Sequence, residues 1–449
     1  MKSRGWCAAL FVFAILVPAW SASAQTPRMY TVQELGSFGG ADLVGLAINN
    51  NGDVAGYAYL ADGTIHAFRW TRAGGLEDLG ANGGSLSQAY GINDNGDAVG
   101  VYYDPVANEV HGFLAPRNGP MQDLRQPGRP IYRVSSITND GQMTGLMLPT
   151  IYTHAYRTLA DGTLQDIGSD GHDSAGLHIN NAGDVTGAEV HDNAESAFRY
   201  STATGKVDLG TLAGGRSSGL WINNAGVVVG WSESVPGEAR AFRARPGFAL
   251  EDLGTLGGEF TGASAINDTG DIVGWSGSAA FVLYNGAQAM IDLNAQVPPV
   301  QGWRLFYNAL GINEAGQILV LYYSSAGPGT AVLTPVVDTQ APVITQAEVA
   351  PNVLRPANGS MRAVTVSVTA VDDVDPAPVC AITRVTNSQW RGSGQDPSVE
   401  ITGALTLSLR ASRQGPGNER IYRITVRCTD ASNNHSRVRL VVRVPHGHH

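Results

Sequence analysis

Cysteine is scarce in this chain: three among 449 residues, one of them Cys7 near the start. A multi-disulfide scaffold is thereby excluded, and without a Cys-x-x-Cys spacing there is neither a zinc knuckle nor a dithiol redox motif. Charge is sparse too, at 15% of residues against about 25% in an ordinary globular domain. Its sign is wrong for nucleic acid. The chain carries −10 overall; residues 25–337 hold 15 Lys+Arg against 30 Asp+Glu, a balance of −15, and residues 338–449 hold 12 against 9, a balance of +3. An acidic surface of that kind repels a phosphate backbone. Long apolar runs are missing beyond the N-terminus, so no membrane span is expected. His-Glu-x-x-His does not occur, which removes one recognisable hydrolase signature.

Glycine is abundant instead, with 56 residues in 449 against about 7% in average usage. Together with 43% apolar content, this composition describes a folded, Gly-punctuated, all-β protein. The first 24 residues read as a signal peptide. Lys2 and Arg4 precede an apolar run from Trp6 to Val17, and Ala22-Ser23-Ala24 offers small residues for cleavage before Gln25. A run of about 12 residues is too short to span a bilayer core of roughly 30 Å, so the mature chain is expected to be secreted, to the periplasm or beyond.

Internal repetition dominates the rest. Ile48, Ile92, Ile137, Ile179, Ile222, Ile266 and Ile312, six of them followed by Asn and Ile137 by Thr, recur at intervals of 44, 45, 42, 43, 44 and 46 residues. Two further columns keep the register. One is His66-Ala67-Phe68, His111-Gly112-Phe113, His154-Ala155-Tyr156, Ser196-Ala197-Phe198 and Arg240-Ala241-Phe242; the other is Asp78-Leu79-Gly80, Asp123-Leu124, Asp166-Ile167-Gly168, Asp208-Leu209-Gly210 and Asp252-Leu253-Gly254. Each unit reads as four strands, the first two joined at Asn-x-x-Gly, where amide side chains and glycine accept a turn's positive φ. Four strands per unit is the period of a β-propeller blade. The seventh unit stops after its third strand at Val332, whereas the chain opens on Tyr30-Thr31-Val32-Gln33-Glu34-Leu35-Gly36, which matches a fourth strand. That offset predicts a seven-bladed ring closed by the N-terminal strand; a β-solenoid, which also uses Gly-rich repeats, would not need it.

Asp252–Gly258 (DLGTLGG), Ile266–Ser276 (INDTGDIVGWS), Ile65–Trp70 (IHAFRW) and the segment from Gly302 (GWRLFYNALGINEAGQI) resemble the bacterial extracellular HAF repeats, named after the His-Ala-Phe triplet. The likeness covers about 310 residues. It departs in unit three, where Arg125-Gln126-Pro127-Gly128-Arg129 replaces the Gly-rich linker and Thr138 replaces Asn, and in units four to seven, where the triplet's His is absent. The resemblance implies export and repeat architecture and no particular chemistry.

After Val337 the composition changes. Asp338–Pro342 reads as a linker, and alternating strands follow at Val364–Val371, Leu405–Leu409, Ile421–Cys428 and Val438–Val444. Residues 338–449 are expected to form a β-sandwich similar to the immunoglobulin-like modules of secreted bacterial proteins, with a short His-containing tail. Cys380 and Cys428 are read as a disulfide, with a free pair as the alternative.

Few side chains stand out as chemistry. Asn93-Asp94-Asn95-Gly96-Asp97 has part of a calcium-loop pattern, but it recurs in every unit and reads as turn chemistry. Asp338, Asp372, Asp375 and Asp430 are candidate calcium ligands, with solvated loop acids as the alternative; His446, His448 and His449 read as a frayed terminus. His178 and Trp221 break a column otherwise made of Ala47, Gly91, Ser136, Ala265 and Gly311, and so mark either a pocket or a packing plug. Trp231 and Trp275 occupy equivalent positions in neighbouring units, on the face bearing the variable loops, and are candidate stacking platforms or inter-blade packing. The expected function is a secreted, non-catalytic, monomeric protein that binds a glycan or surface protein. The alternative is a polysaccharide hydrolase or lyase, which would require single-copy acids and bases converging from several units.

Overall fold

The computed structural model describes residues 29–445 apart from 126–129, 150, 170, 192–193, 298–302, 337, 376, 393–395, 413–418 and 431. The leader read at residues 1–24 and the terminal histidines lie outside the described residues. Two glycine positions explain the repeated strand pair. At the six Asn-x-x-Gly turns and the Thr-x-x-Gly turn of unit three, Gly52, Gly96, Gly141, Gly183, Gly226, Gly270 and Gly316 all have φ between +73° and +89°, a left-handed conformation that penalises any Cβ. The Asn at the head of the turn fixes it: Asn49 Oδ1 accepts from the amides of Asn51 and Asp53 at 3.0 and 2.8 Å. Further along the second strand, a Cβ added at Gly56, Gly100, Gly145, Gly187, Gly230 or Gly274 would lie 1.8–2.0 Å from a carbonyl oxygen of the first strand. The first strand bulges there, as at Gly45/Ala47, and its carbonyl occupies the space of a side chain.

These hairpins extend into four-stranded antiparallel meanders. Unit one runs Gly39–Ile48, Val54–Leu60, Ile65–Thr71 and Gly75–Gly80. Five sheets repeat that order, and a further one combines Trp303–Ile312, Ile318–Ser324 and Gly327–Pro335 with Tyr30–Glu34 from the other end of the chain. There Tyr30 pairs with Pro335 and Glu34 with Ala331.

Side chains of the turns link one sheet to the next. Asn49 Nδ2 donates to Asn93 O (2.8 Å), Asn93 to Thr138 O (3.1 Å), Asn180 to Asn223 O (2.9 Å), Asn223 to Asn267 O (3.1 Å) and Asn267 to Asn313 O (3.2 Å). Asn313 then donates to Asn49 O at 3.0 Å, which brings the chain of bonds back to its start with one link, from Thr138 to Asn180, missing among those described. A second, more exposed circle runs beside it, from Asn50 N to Asp94 Oδ1 (2.8 Å) and onward to Glu314 N, which donates to Asn50 Oδ1 at 3.0 Å. Four-stranded meanders joined in a closed circle form a β-propeller. Its cores lie between sheets, where Phe68, Phe113, Tyr156, Phe198, Phe242 and Phe281 from the third strands are all buried. The aromatic of the His-Ala-Phe column is therefore a packing residue.

Residues 343–444 form two further sheets, one of four strands and one of three. They share a core of Val364, Val366, Leu407 and Leu409 from the first sheet with Ile382, Tyr422, Ile424, Val426, Val442 and Val444 from the second, which makes a β-sandwich. Cys380 and Cys428 are disulfide-bonded. They face each other on the adjacent strands Val379–Asn387 and Arg420–Thr429, so the bond staples one sheet and does not join the two.

Candidate functional site

The histidines of the repeat resolve first. His66 Nδ1 lies 2.9 Å from Asp78, His111 Nδ1 3.0 Å from Asp123 and His154 Nδ1 2.8 Å from Asp166, and in unit four Ser196 hydrogen-bonds Asp208 at 2.5 Å. In each pair the acid also accepts from the backbone: Gly80 N, Arg125 N, Gly168 N and Gly210 N bond it at 2.7–2.9 Å. Such a pair resembles an acid–base dyad in isolation. Repeated at one place in successive units, it is a clamp between the third and fourth strands.

The conserved register of the meander sends the connections between second and third strands, and between units, to the face opposite the Asn turns. Along the axis, the first strands enclose a cavity of about 270 Å³ toward that face, and a smaller one of about 120 Å³ lies on the Asn-turn side. His178 and Trp221 line both. Their rings stack at 3.7 Å with 22° between planes, and His178 Nδ1 bonds the carbonyl of Ile222 at 3.1 Å. Burial pushes the imidazole down to about 3, so it is neutral, with Nδ1–H as donor.

Trp275 also lines the larger cavity. Its indole lies across Gly262, where a Cβ would come within 2.3 Å of the ring. Trp231 has the matching register, paired with Ser218 and Ala241 as Trp275 is with Gly262 and Ala280. It is half-buried, and it is not among the described residues lining that cavity.

A group absent from the sequence reading sits across the ring junction. Tyr307 stacks on Tyr323 at 4.6 Å, and Tyr323 and Tyr59 are 49% and 36% exposed. Burial, then Tyr323, Asp42 and Tyr57, push the Tyr307 phenol up to about 12; burial, then Tyr59, Asp42 and Tyr90, raise that of Tyr57. Tyr57 and Asp42 of unit one thus lie within electrostatic reach of the stacked pair, and Tyr59 and Tyr90 within reach of Tyr57. Tyr90 also lines the axial cavity, and the Arg133 guanidinium covers the Tyr90 ring at 4.6 Å.

The acids of the variable face are engaged locally. Asp104 accepts from Val106 and Ala107, Glu109 pairs with Arg125, Glu238 with Arg240, and Glu233 accepts from Arg216 N. Glu189, buried, holds Lys206 at 2.6 Å and His191 at 3.0 Å. Asp104, His111 and Asp123 bring donor atoms within 4.8 Å of one another. Each of these two clusters is confined to one unit, so among the described residues neither is an acid–base set assembled from several. In the sandwich, Asp338 and Asp372 come together with Asp373, whereas Asp375 accepts from Ala377 N at 2.9 Å.

No protein-family model and no curated protein matches the chain. Among solved structures it is similar to virginiamycin B lyase from Staphylococcus aureus, at 12% identity over 68% of this chain and 100% of that one, with a TM-score of 0.46. A streptogramin B lyase gives 13% identity, 69% and 98% coverage and a TM-score of 0.46. A puromycin hydrolase mutant gives 10%, 72% and 58%, and 0.45.

Proposed function

We propose that this is a secreted, non-catalytic glycan-binding protein, a seven-bladed propeller of the HAF-repeat type followed by an immunoglobulin-like sandwich. The tyrosine group carries the reading. Flat, partly exposed aromatic rings fixed by stacking suit the apolar faces of sugar rings, and Asp42 beside them offers an acceptor for sugar hydroxyls. Trp275 at the axial cavity extends the same chemistry inward. The local engagement of the variable-face acids supports a binding role over hydrolysis or elimination. Export is supported by the leader-like N-terminus and by the disulfide, a bond typical of oxidising compartments.

The test is a glycan array on the mature protein, followed by titration of the strongest hit against Tyr323→Ala, Tyr59→Ala, Trp275→Ala and Trp231→Ala. Loss of about tenfold in affinity, roughly 1.4 kcal/mol, with an unchanged melt at Tyr323 and Tyr59 is expected. Release of reducing ends or unsaturated sugars from a polysaccharide panel would replace this reading with the enzymatic one.

A further inference from the structure

Three aspartates of the C-terminal domain share an unusual state. Asp338 follows the last propeller strand, Asp372 follows the strand Met361–Val371, and Asp430 follows Arg420–Thr429. In each, one carboxylate oxygen closes its own turn. Asp338 Oδ1 accepts from Gln340 N (2.9 Å), Asp372 Oδ1 from Val374 N and Asp375 N (3.0 and 2.9 Å), and Asp430 Oδ1 from Asn434 N (2.8 Å). The other oxygen, Oδ2, is buried in all three and has no hydrogen-bond partner. Asp338 and Asp430 are only 9% and 6% exposed. Burying a carboxylate oxygen without a donor is costly, and three such atoms in one region call for a common positive partner.

The geometry indicates what that partner is. Asp338, Asp372 and the exposed Asp373 bring carboxylate oxygens within 4.8 Å of one another. Asn434 Nδ2 donates to the Asp338 carbonyl at 3.1 Å, which holds the Asp430 turn against the linker. Calcium accepts 6–8 oxygens at about 2.3–2.6 Å in a flexible shell, which loop carboxylates from separate turns can supply, whereas magnesium demands a near-ideal octahedron at about 2.0–2.1 Å and keeps several of its waters. An all-oxygen, multiply anionic set disfavours zinc and copper. We propose that Asp338, Asp372 and Asp373 bind one calcium ion, with Asp430 contributing from the adjoining turn. The ion ties the linker after the propeller to two loops of the sandwich, and its affinity falls in the range of extracellular modules, Kd about 0.1–1 mM.

Calorimetric titration of CaCl₂ into the chelator-treated full chain tests this, with MgCl₂ in parallel. Asp372→Asn and Asp338→Asn keep the turn acceptor while removing charge. The expected result is one saturable calcium site, weakened at least tenfold in both variants, and a rise of about 5 °C or more in the sandwich melt at 10 mM calcium. Lack of any heat or melt shift with wild-type protein up to 10 mM calcium overturns the proposal, and so does undiminished binding by both variants. Magnesium binding as tight as calcium overturns the assignment of the ion. Because the wild-type titration needs no variant, a misfolded substitution leaves the test intact.

Discussion

Asn267→Ala is the sharpest probe of how the propeller is held together. Asn267 is 2% exposed. Its Oδ1 accepts from Asp271 N and Thr269 Oγ1, both at 2.8 Å, and its Nδ2 donates to Asn313 O at 3.2 Å. Alanine removes three hydrogen bonds in a buried turn at about 1 kcal/mol each, so the loss is about 3 kcal/mol. For a domain of this size that corresponds to a fall of roughly 6 °C in melting temperature, read by calorimetry on the full chain. The converse change is Thr138→Asn. Thr138 Oγ1 already accepts from Gln142 N at 2.9 Å, a role an Asn oxygen fills in the other units, and the added amide supplies the absent link toward Asn180, worth about 1 kcal/mol of gain. If Asn267→Ala melts within 1 °C of wild type, the circle of side-chain bonds does not stabilise the ring and the reasoning fails.

Deletion through Gly36 strips the pairing from 331–335 and leaves an open edge; the propeller melt is expected to fall far more than for loss of a surface loop, and an unchanged melt would contradict ring closure. His178 has a folded pKa near 3 against about 6.5 in a free chain, so the unfolded state takes up its proton first. Its stabilisation is complete above about pH 6.5 and is lost at about 1.4 kcal/mol per pH unit as pH falls toward 3. Denaturant titrations at pH 7 and pH 5 should show a smaller difference in His178→Asn than in wild type. Replacing both Cys380 and Cys428 by Ala releases a span of 48 residues, with an expected loss of about 4 kcal/mol from the sandwich; urea melts compared with wild type measure it.

The repeat was legible because its turns need particular residues: only an Asn-x-x-Gly places an amide acceptor and a left-handed glycine where Asn49 and Gly52 stand. The closure by Tyr30–Glu34 was legible from the mismatch between the two ends. The His–Asp clamps escaped notice although a signal was present, a constant spacing of 12 residues in 66/78, 111/123 and 154/166. The tyrosine group left none, since Tyr57 and Tyr307 are 250 positions apart and come within reach of each other only because the ring closes. Among the aspartates, the sequence singled out Asp338, Asp372, Asp375 and Asp430. Which carboxylate of 372–375 joins Asp338 depended on the turn at Asp372, whose Oδ1 gathers two amides and leaves Asp373 facing the group.

Thr138 gives the ring one joint unlike the rest. It has no side-chain amide to offer unit four, and the outer bond across the same junction, Asn139 N to Asn181 Oδ1, is 3.4 Å, against 2.8–3.0 Å at the other six. In the seven-bladed ring proposed above, three units separate this junction from unit seven in either direction. On that proposal, the place where the two ends of the polypeptide are zipped together would sit diametrically across from the slackest contact, as the hinge of a bracelet sits across from its clasp. Brief opening of the ring would start between units three and four and pivot about unit seven, exchanging amide hydrogens at the turns of 138–142 and 180–184 before any other turn while the N-terminal strand stays in place.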